Sequence, residues 1–177
     1  MNLLFRLIRV LVSALFKPRL GPLEESVVTF RVLPNDLDLN LHMNNGRYLT
    51  IMDLGRLDLI ARVGLLRIMF KQRWTPIVGT ATIRYRRSLD PFQKYQLISR
   101  VVCWEDRWIY LEQRFESKGE VAALAYIKAL IRTRRRTLRS REVLNALGLQ
   151  QRSPPMPPVL EAIRLAEGLT GEKPGRR

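Results

Sequence analysis

The chain has 177 residues, of which 46% are hydrophobic and 27% are charged. This length holds one domain with a real core but not two of ordinary size, and the composition excludes collagen-like and disordered chains. The formal net charge of +15 favours anionic partners, such as lipid head groups, nucleic acid or phosphorylated cofactors. A single cysteine, Cys103, excludes an intramolecular disulfide and fits a reducing compartment. Because it lies in an apolar run, we interpret it as a buried structural thiol.

The first segment of the chain has an amphipathic pattern. Residues 3–16 are largely apolar, and the polar residues Arg6, Arg9, Ser13 and Lys17 follow one another at intervals of three and four. A helix gathers them into one narrow stripe and leaves a broad apolar face. The stretch is shorter than the roughly 20 residues that span a bilayer. We predict an amphipathic helix within residues 1–20 that lies on a membrane surface. A cleavable signal peptide and a helix packed on the domain are the alternatives.

Residues 24–149 carry the pattern of one α+β domain. A first strand at 26–33 ends before Pro34, and apolar spacing predicts a long helix from Arg47 to about Leu66, with Asn44 or Asn45 as its cap. Four further strands are predicted at 77–89, 95–105, 107–117 and 121–132, joined by turn residues. The order predicts an antiparallel sheet of about five strands wrapped round a central helix. Small Gly55 would allow the helix to approach the sheet closely.

The last part of the chain is predicted to be appended to this domain. Residues 140–149 form a plausible short helix that a serine opens and Gly148 closes. Within 150–177, the run Pro154 to Pro158 predicts a stiff linker, residues 159–169 predict a short helix, and a basic tail follows.

Chemistry is concentrated in residues 36–45, which hold two carboxylates, three carboxamides and His42, the only histidine of the chain. Asp38, Asn40 and His42 occupy alternate positions, so in an extended segment they would share one side and converge on one substrate. The alternative is a polar turn, because Asn and Asp bond nearby backbone and tolerate left-handed conformations.

The pattern Asp38-x-Asn40-x-His42-x-Asn44-Asn45, with Tyr48 three residues later, resembles the active-site segment of hot-dog-fold acyl thioesterases, above all the plant acyl-carrier-protein type. Residues from about 30 to 149 also resemble the thioesterase-superfamily-member-six type. The shared segments are Val32-Leu33-Pro34, Arg86-Arg87-Ser88-Leu89, Pro91-Phe92 and Trp104-x-Asp106-Arg107. The resemblance implies the α+β hot-dog fold and hydrolysis of acyl-CoA or acyl-carrier protein to a carboxylic, commonly fatty, acid.

The chemistry of thioester hydrolysis suggests roles for polar residues of the segment 36–45. Asp38 would activate water or attack the carbonyl carbon itself, and both routes stay open. His42 exchanges protons near neutrality, and Asn40 would orient a carboxylate or water. The start of the helix presents unpaired N–H groups to the developing anion. At the start of this helix, the candidates for substrate binding are Asn44, Asn45 and the backbone near Gly46. The acyl chain would lie beside the helix, among residues such as Met52, Leu59 and Val63.

The chain departs from the plant enzymes at one position. In those enzymes the sequence Tyr-Arg-Arg is followed by Glu and Cys, and the acid contributes to catalysis, whereas here Ser88 and Leu89 follow, with Asp90 nearby. This departure keeps open a catalytically weak acyl-CoA-binding or lipid-metabolism accessory protein on the same fold. Arg86 and Arg87 are candidates for binding the phosphates of coenzyme A or an acidic carrier protein, and the alternative is a solvated strand end.

The resemblance also implies a homodimer or a dimer of dimers, with sheets joined edge to edge and each site at the subunit boundary. We expect no metal and no cofactor. The expected location is the cytoplasm, peripheral at an anionic membrane surface if the first helix binds there. A third interpretation is an RNA-binding protein that uses the arginines between 132 and 141, although that segment carries no recognised nucleic-acid motif.

Overall fold

One antiparallel sheet and one long helix make up the centre of the fold. The computed structural model describes residues 2–169, and the predicted basic tail lies outside them. The strands are β1 (Ser26–Arg31), β2 (Thr75–Tyr85), β3 (Lys94–Trp104), β4 (Ile109–Ser117) and β5 (Glu120–Arg132). The helices are α1 (Asn2–Phe16), α2 (Asn45–Arg62), α3 (Leu65–Gln72), α4 (Ser140–Ala146) and α5 (Pro158–Leu169), with a 3-10 turn at Pro34–Asp36.

The strands form a single sheet in the order β1-β3-β4-β5-β2, and every neighbouring pair is antiparallel. The predicted sheet of about five strands round a central helix is therefore confirmed. Helix α2 connects β1 to β2, which are the two edges of the sheet. The segment that leads into α2 therefore comes from one edge of the sheet, and the segment that follows α2 leads to the opposite edge.

Helix α2 lies against the inner face of the sheet. Its buried side chains include Tyr48, Ile51, Met52 and Leu59, which pack into the main core. Gly55 faces the sheet, and a Cβ atom at this position would lie 2.5 Å from Leu97 Cδ2. Real contacts are never this close, so only glycine permits the observed approach. The predicted role of Gly55 is confirmed.

The end of α2 differs from the prediction. We predicted one helix to about Leu66, but α2 ends at Arg62 and Gly64 adopts a left-handed conformation with φ of 84°. A second helix, α3, then begins at Leu65 and buries Leu65 and Met69 in a smaller core cluster. The apolar residues beyond Gly64 belong to this separate helix, because a left-handed residue redirects the chain.

Helix α1 packs on the domain by one of its sides. Val10 and Ala14 are buried, and Val10 belongs to the main core. The opposite side carries exposed apolar side chains. Among residues 2–169, no helix combines the length and the apolar character that crossing a bilayer requires.

Helix α5 covers part of the outer face of the sheet. Leu160 packs there with Cys103 and Tyr110, whereas Leu111, the residue after Tyr110, packs into the core on the helix side. Successive strand residues point to opposite faces, which explains the division. Burial raises the pKa of the Cys103 thiol, with a further contribution from Glu105. Cys103 is thus a buried, protonated core residue, as predicted.

Candidate active site

The acidic segment before α2 folds into a tight turn. Leu37 pairs with Met43, and the Asp38 N–H donates to the His42 carbonyl at 2.9 Å. The Asp38 carboxylate accepts the N–H of Asn40 at 2.8 Å and that of His42 at 3.4 Å. Leu41 has a φ of 58°, in the left-handed region that non-glycine residues rarely adopt. Of the two possibilities that the sequence left open, the extended segment is therefore wrong and the polar turn is confirmed, because the Asp38 carboxylate stabilises a turn.

The start of α2 adjoins this turn. The Asn44 side chain accepts the N–H of Gly46 at 2.8 Å, and the Asn44 carbonyl accepts the N–H of Arg47 at 2.9 Å. Asn44 is therefore the N-cap, as one of the two predicted possibilities. The N–H of Gly46 is occupied by this cap. It is not free to bind a developing oxyanion, contrary to our expectation for the backbone at Gly46.

The imidazole of His42 faces an acid from a different part of the chain. His42 Nε2 lies 3.7 Å from Asp90 Oδ1, and both side chains are partly exposed. The N–H of Met43 donates to the Leu89 carbonyl at 2.9 Å, and this bond holds the loop after β2 beside the turn. The structure thus brings Asp38 to the main chain of His42 and Asp90 to its ring. An acid stands near the imidazole although Ser88 occupies the matching position.

Two tyrosines lie beside the start of α2. The Tyr85 hydroxyl donates to the Asn45 carbonyl at 3.0 Å, and the Tyr85 ring contacts that of Tyr48 edge-on, with centroids 5.1 Å apart. Burial, together with the neighbouring Tyr85, raises the pKa of Tyr48 to about 12. Burial also raises the pKa of Tyr85. Both phenols are neutral near pH 7, so neither acts as a base. The two rings pack against each other, and the Tyr85 hydroxyl is a hydrogen-bond donor. Sequence reasoning gave neither of them a role.

The two arginines at the end of β2 have different surroundings. The backbone N–H groups of Arg86 and Arg87 both donate to the Ala122 carbonyl. The Arg87 side chain forms an ion pair with Glu120, whereas Arg86 is exposed and has no ion-pair partner within residues 2–169. Of the two predicted phosphate ligands, Arg86 is the more available.

The buried residue Asp36 binds the segments that surround the candidate site. Its carboxylate is fully buried and binds Arg6 at 2.5 Å and Arg47 at 3.2 Å. The same carboxylate accepts the N–H of Leu33, and the Asp36 carbonyl accepts the N–H of Asn44. Asp36 therefore links α1, the turn and the start of α2. Sequence reasoning missed this role, since its only signal was a second acid two residues before Asp38.

An apolar cavity of about 370 Å³ follows the second half of α2. Its walls come from α2, from β3, β4 and β5, and from α4, and they include Leu59, Val63, Leu111, Ile131 and Val143. Leu59 and Val63 were predicted to contact an acyl chain. Met52, the third predicted residue, belongs to the solid core instead. Within residues 2–169, no three His, Cys, Asp or Glu side chains are close enough to hold a metal ion.

Comparison with solved structures identifies the arrangement of strands and helices. A Staphylococcus aureus hypothetical protein, SAV2348, solved in complex with CoA, superimposes with a TM-score of 0.63 at 14% identity and covers 80% of this chain and 95% of its own. At this identity, the likeness shows the fold alone. Together with the five-stranded sheet and its central helix, it confirms the α+β hot-dog fold.

Sequence relatives are closer. Protein THEM6 of Danio rerio is 41% identical over 117 residues, which are 66% of this chain and 56% of that protein. A probable thioesterase of Saccharomyces cerevisiae is 29% identical over 120 residues, 66% of this chain and 52% of that protein. The chain thus spans about half the length of these relatives. The family model described as thioesterase-like superfamily matches residues 32–163, so the chain belongs to this superfamily.

Proposed function

We propose that the protein is a thioester hydrolase that releases a carboxylic acid, commonly a fatty acid, from acyl-CoA. The observation that carries the proposal is the grouping of Asp38, His42 and Asp90 at the start of α2 in a chain of the thioesterase-like superfamily. The group contains an acid that can activate an oxygen nucleophile and an imidazole with a second acid 3.7 Å away. Both are partly open to solvent, as a water-consuming reaction requires.

The roles follow from the contacts. Asp38 is the general base that deprotonates water or the nucleophile that attacks the thioester carbonyl, and the two routes remain alternatives. His42, whose ring faces Asp90, is the group that donates a proton to the leaving thiolate. Asn40 is exposed beside Asp38 and would orient the attacking water. With the N–H of Gly46 occupied, we assign the oxyanion contact to the N–H of Asn45, in the first turn of α2.

The acyl chain is proposed to occupy the cavity along α2. A volume of about 370 Å³ lies within the range that small-molecule sites commonly have. Leu59 and Val63 supply apolar contacts, and Val143 of α4 belongs to the same lining. The thioester would remain at the start of α2, outside the apolar walls.

Coenzyme A is proposed as the carrier in preference to acyl-carrier protein. The relevant cation at the site is Arg86, whose guanidinium is exposed and suits a phosphate group. The similar fold of the CoA-bound staphylococcal protein supports the same choice. An acidic carrier protein remains the competing substrate, because it would also meet these arginines.

We further propose a homodimer, or a dimer of dimers, joined through β2. This edge strand has eleven residues, nine of them exposed, and its outer edge pairs with no other strand among residues 2–169. Antiparallel pairing about a two-fold axis would set the first residues of one β2 beside the last residues of the other. Because Pro76 and Val78 line the cavity, the cavity of one copy would then lie near the Tyr85 end of the other.

The proposed location is the cytoplasm, in peripheral contact with a membrane surface. The support is the net charge of +15 together with the exposed apolar side of α1. Lipid head groups in cytoplasmic leaflets are commonly anionic and attract such a protein.

The competing function is an acyl-CoA-binding protein with weak catalysis. It is favoured by the engagement of the Asp38 carboxylate with two backbone N–H groups, because these bonds hold the carboxylate in its own turn. An RNA-binding role has less support, since Arg136 is paired with Glu142 and Arg139 lies 3.6 Å from Asp106.

A single assay separates these functions. Thiol release and equilibrium binding would be measured for acyl-CoA esters of increasing chain length and for the matching acyl-carrier-protein esters. We expect turnover with acyl-CoA and its loss in Asp38→Ala and His42→Ala variants that still bind substrate. Tight acyl-CoA binding without turnover above the uncatalysed rate would establish the binding protein instead. Binding to RNA at moderate salt, in the absence of acyl-CoA binding, would establish the third function.

A further inference from the structure

The polar stripe of α1 faces the protein rather than the surroundings. Arg6 and Arg9 of α1, and Lys17 directly after its end, donate to main-chain carbonyls of the edge strand β1. Arg6 binds Arg31 at 3.1 Å, Arg9 binds Thr29 at 3.0 Å and Lys17 binds Val27 at 3.1 Å. Residues 27, 29 and 31 alternate along β1, so these are carbonyls on the side of the strand away from β3. The cations therefore cover an otherwise open sheet edge.

Two of these three cations are paired with buried acids of the domain. Arg6 binds the buried carboxylate of Asp36, and Lys17 lies 3.3 Å from the buried carboxylate of Asp58. The guanidinium of Arg9 stacks over the Phe30 ring, 5.5 Å from its centroid. Arg6 and Lys17 are consequently engaged with buried carboxylates while α1 is docked, whereas Arg9 stays exposed beside β1.

The side of α1 turned away from the domain is apolar. Leu15 is 81% exposed and Phe16 is 85% exposed, and Leu4, Phe5, Ile8 and Val12 are exposed on the same side. Spacings of three and four residues align these side chains along the helix. No Asp or Glu precedes Glu24 in the chain, so α1 itself contributes no anionic group to this surface. Arg19, just beyond α1, is exposed.

We propose that this outer face, residues 4, 5, 8, 12, 15 and 16, inserts into the interfacial layer of a lipid bilayer. The inference rests on the proposed peripheral location and adds the surface and the mode of contact. Affinity comes mainly from apolar insertion, because Arg6 and Lys17 are paired with buried acids, while the net charge of +15 brings the protein to anionic membranes. The acid-free surface with Arg19 at its end is complementary to such a membrane.

A bilayer suits this face better than a second copy of the chain. α1 lies along β1, at the opposite edge of the sheet from β2, so membrane contact and the proposed dimer do not compete. Leu7, on the inner side of α1, lines the apolar cavity. The helix that inserts into the bilayer would thus also form a wall of the acyl site, which places that site next to the membrane.

Vesicle sedimentation tests the proposal. Full-length protein would be mixed with phosphatidylcholine vesicles, and with vesicles that also contain phosphatidylserine, at low and high salt. We expect binding to neutral vesicles that persists at high salt, because apolar insertion is not screened. Replacing both Leu15 and Phe16 with Asn should weaken vesicle partitioning by roughly tenfold or more, since two large apolar side chains lose their burial.

The matched control replaces Phe70 and Leu165, which are 78% and 70% exposed on α3 and α5. Asn at these two positions should leave vesicle binding unchanged. Binding that requires phosphatidylserine and disappears at high salt would overturn the proposal, as would equal losses in the two double variants. If Leu15 and Phe16 instead drive self-association without lipid, light scattering would show an increase in mass. A second copy of the chain, and not a bilayer, would then be the partner of this face. Hydrolysis of a short-chain acyl-CoA, measured in parallel, tests the proposed activity separately.

Discussion

The two edge strands of the sheet, β1 and β2, have different surroundings. At the β1 edge, six residues long, three cationic side chains from α1 and the residue that follows it occupy the outward carbonyls. At the β2 edge, eleven residues long, nine residues are exposed. An uncovered edge strand presents unpaired N–H and C=O groups to other chains. The difference teaches that one edge is closed within residues 2–169 and the other is not, and the open edge is where we propose that two chains associate.

Both edges also lead into the candidate active site. The chain leaves β1 through the turn that contains Asp36 and Asp38, and it leaves β2 through Tyr85 towards Asp90. The closed edge therefore holds the turn through Arg6 and Asp36, whereas the open edge delivers Tyr85 and Asp90. Changes at the two edges should consequently have different effects on stability and assembly.

The largest effect is expected from breaking the closed edge at its buried ion cluster. Asp36→Ala leaves the guanidinium of Arg6 buried without its carboxylate, which costs about 3–5 kcal/mol of unfolding free energy. Urea unfolding would measure this loss. Asp106→Ala is the control, because this acid is exposed and its ion pairs should contribute less than about 1 kcal/mol. A loss below about 1 kcal/mol for Asp36→Ala would show that the cluster does not hold α1 to the turn.

The open edge is tested by a charge in the middle of β2. Ala81 is exposed, and Ala81→Lys would bring like charges together across a two-fold axis. We expect the dimer dissociation constant to rise about tenfold or more, since a cost of about 1.4 kcal/mol corresponds to a factor of ten. Light scattering over a concentration series would measure it. Gln96→Lys, on the inner strand β3, carries the same charge change and should leave the mass unchanged. A dimer that tolerates Ala81→Lys would rule out pairing through this part of β2.

A smaller effect is expected from Arg9, one of the side chains that cover the β1 edge. Arg9→Met removes the bond to Thr29 and the cation over Phe30, and should cost about 0.5–1.5 kcal/mol. The shift in urea midpoint at constant slope would report it. Arg134→Met is the matched control, because Arg134 is exposed and forms no ion pair within residues 2–169. Equal shifts in the two variants would mean that Arg9 contributes no more than a solvated cation does.

Much of the fold could be predicted because its signals are local. Alternating apolar residues identified each strand within a few positions, and helical spacing identified α1 and α2. Gly55 was predicted to allow close approach, and the distance from its position to Leu97 confirms this. Helix α3 was missed because its apolar residues continue the pattern of α2, and only the left-handed conformation of Gly64 separates them.

The site was less predictable because its partners come from distant segments. The spacing of Asp38 and His42 suggested side chains that converge, but the Asp38 carboxylate binds backbone within its own turn. Asp90 meets His42 only because the loop after β2 is held at Leu89. The stripe on α1 was visible in the sequence, while the carbonyls of β1 that it meets were not. Such contacts depend on how the sheet is assembled.

The central claim is that Asp38 carries thioester hydrolysis at the start of α2. Asp38→Asn tests it most directly, because the amide oxygen of Asn can still accept the N–H groups of Asn40 and His42 while the carboxylate is lost. Thiol release from one acyl-CoA would be followed for wild type and variant, with melting temperatures to confirm equal folding. We expect kcat to fall by about 100-fold or more with acyl-CoA binding retained. A variant within twofold of wild type would contradict the account.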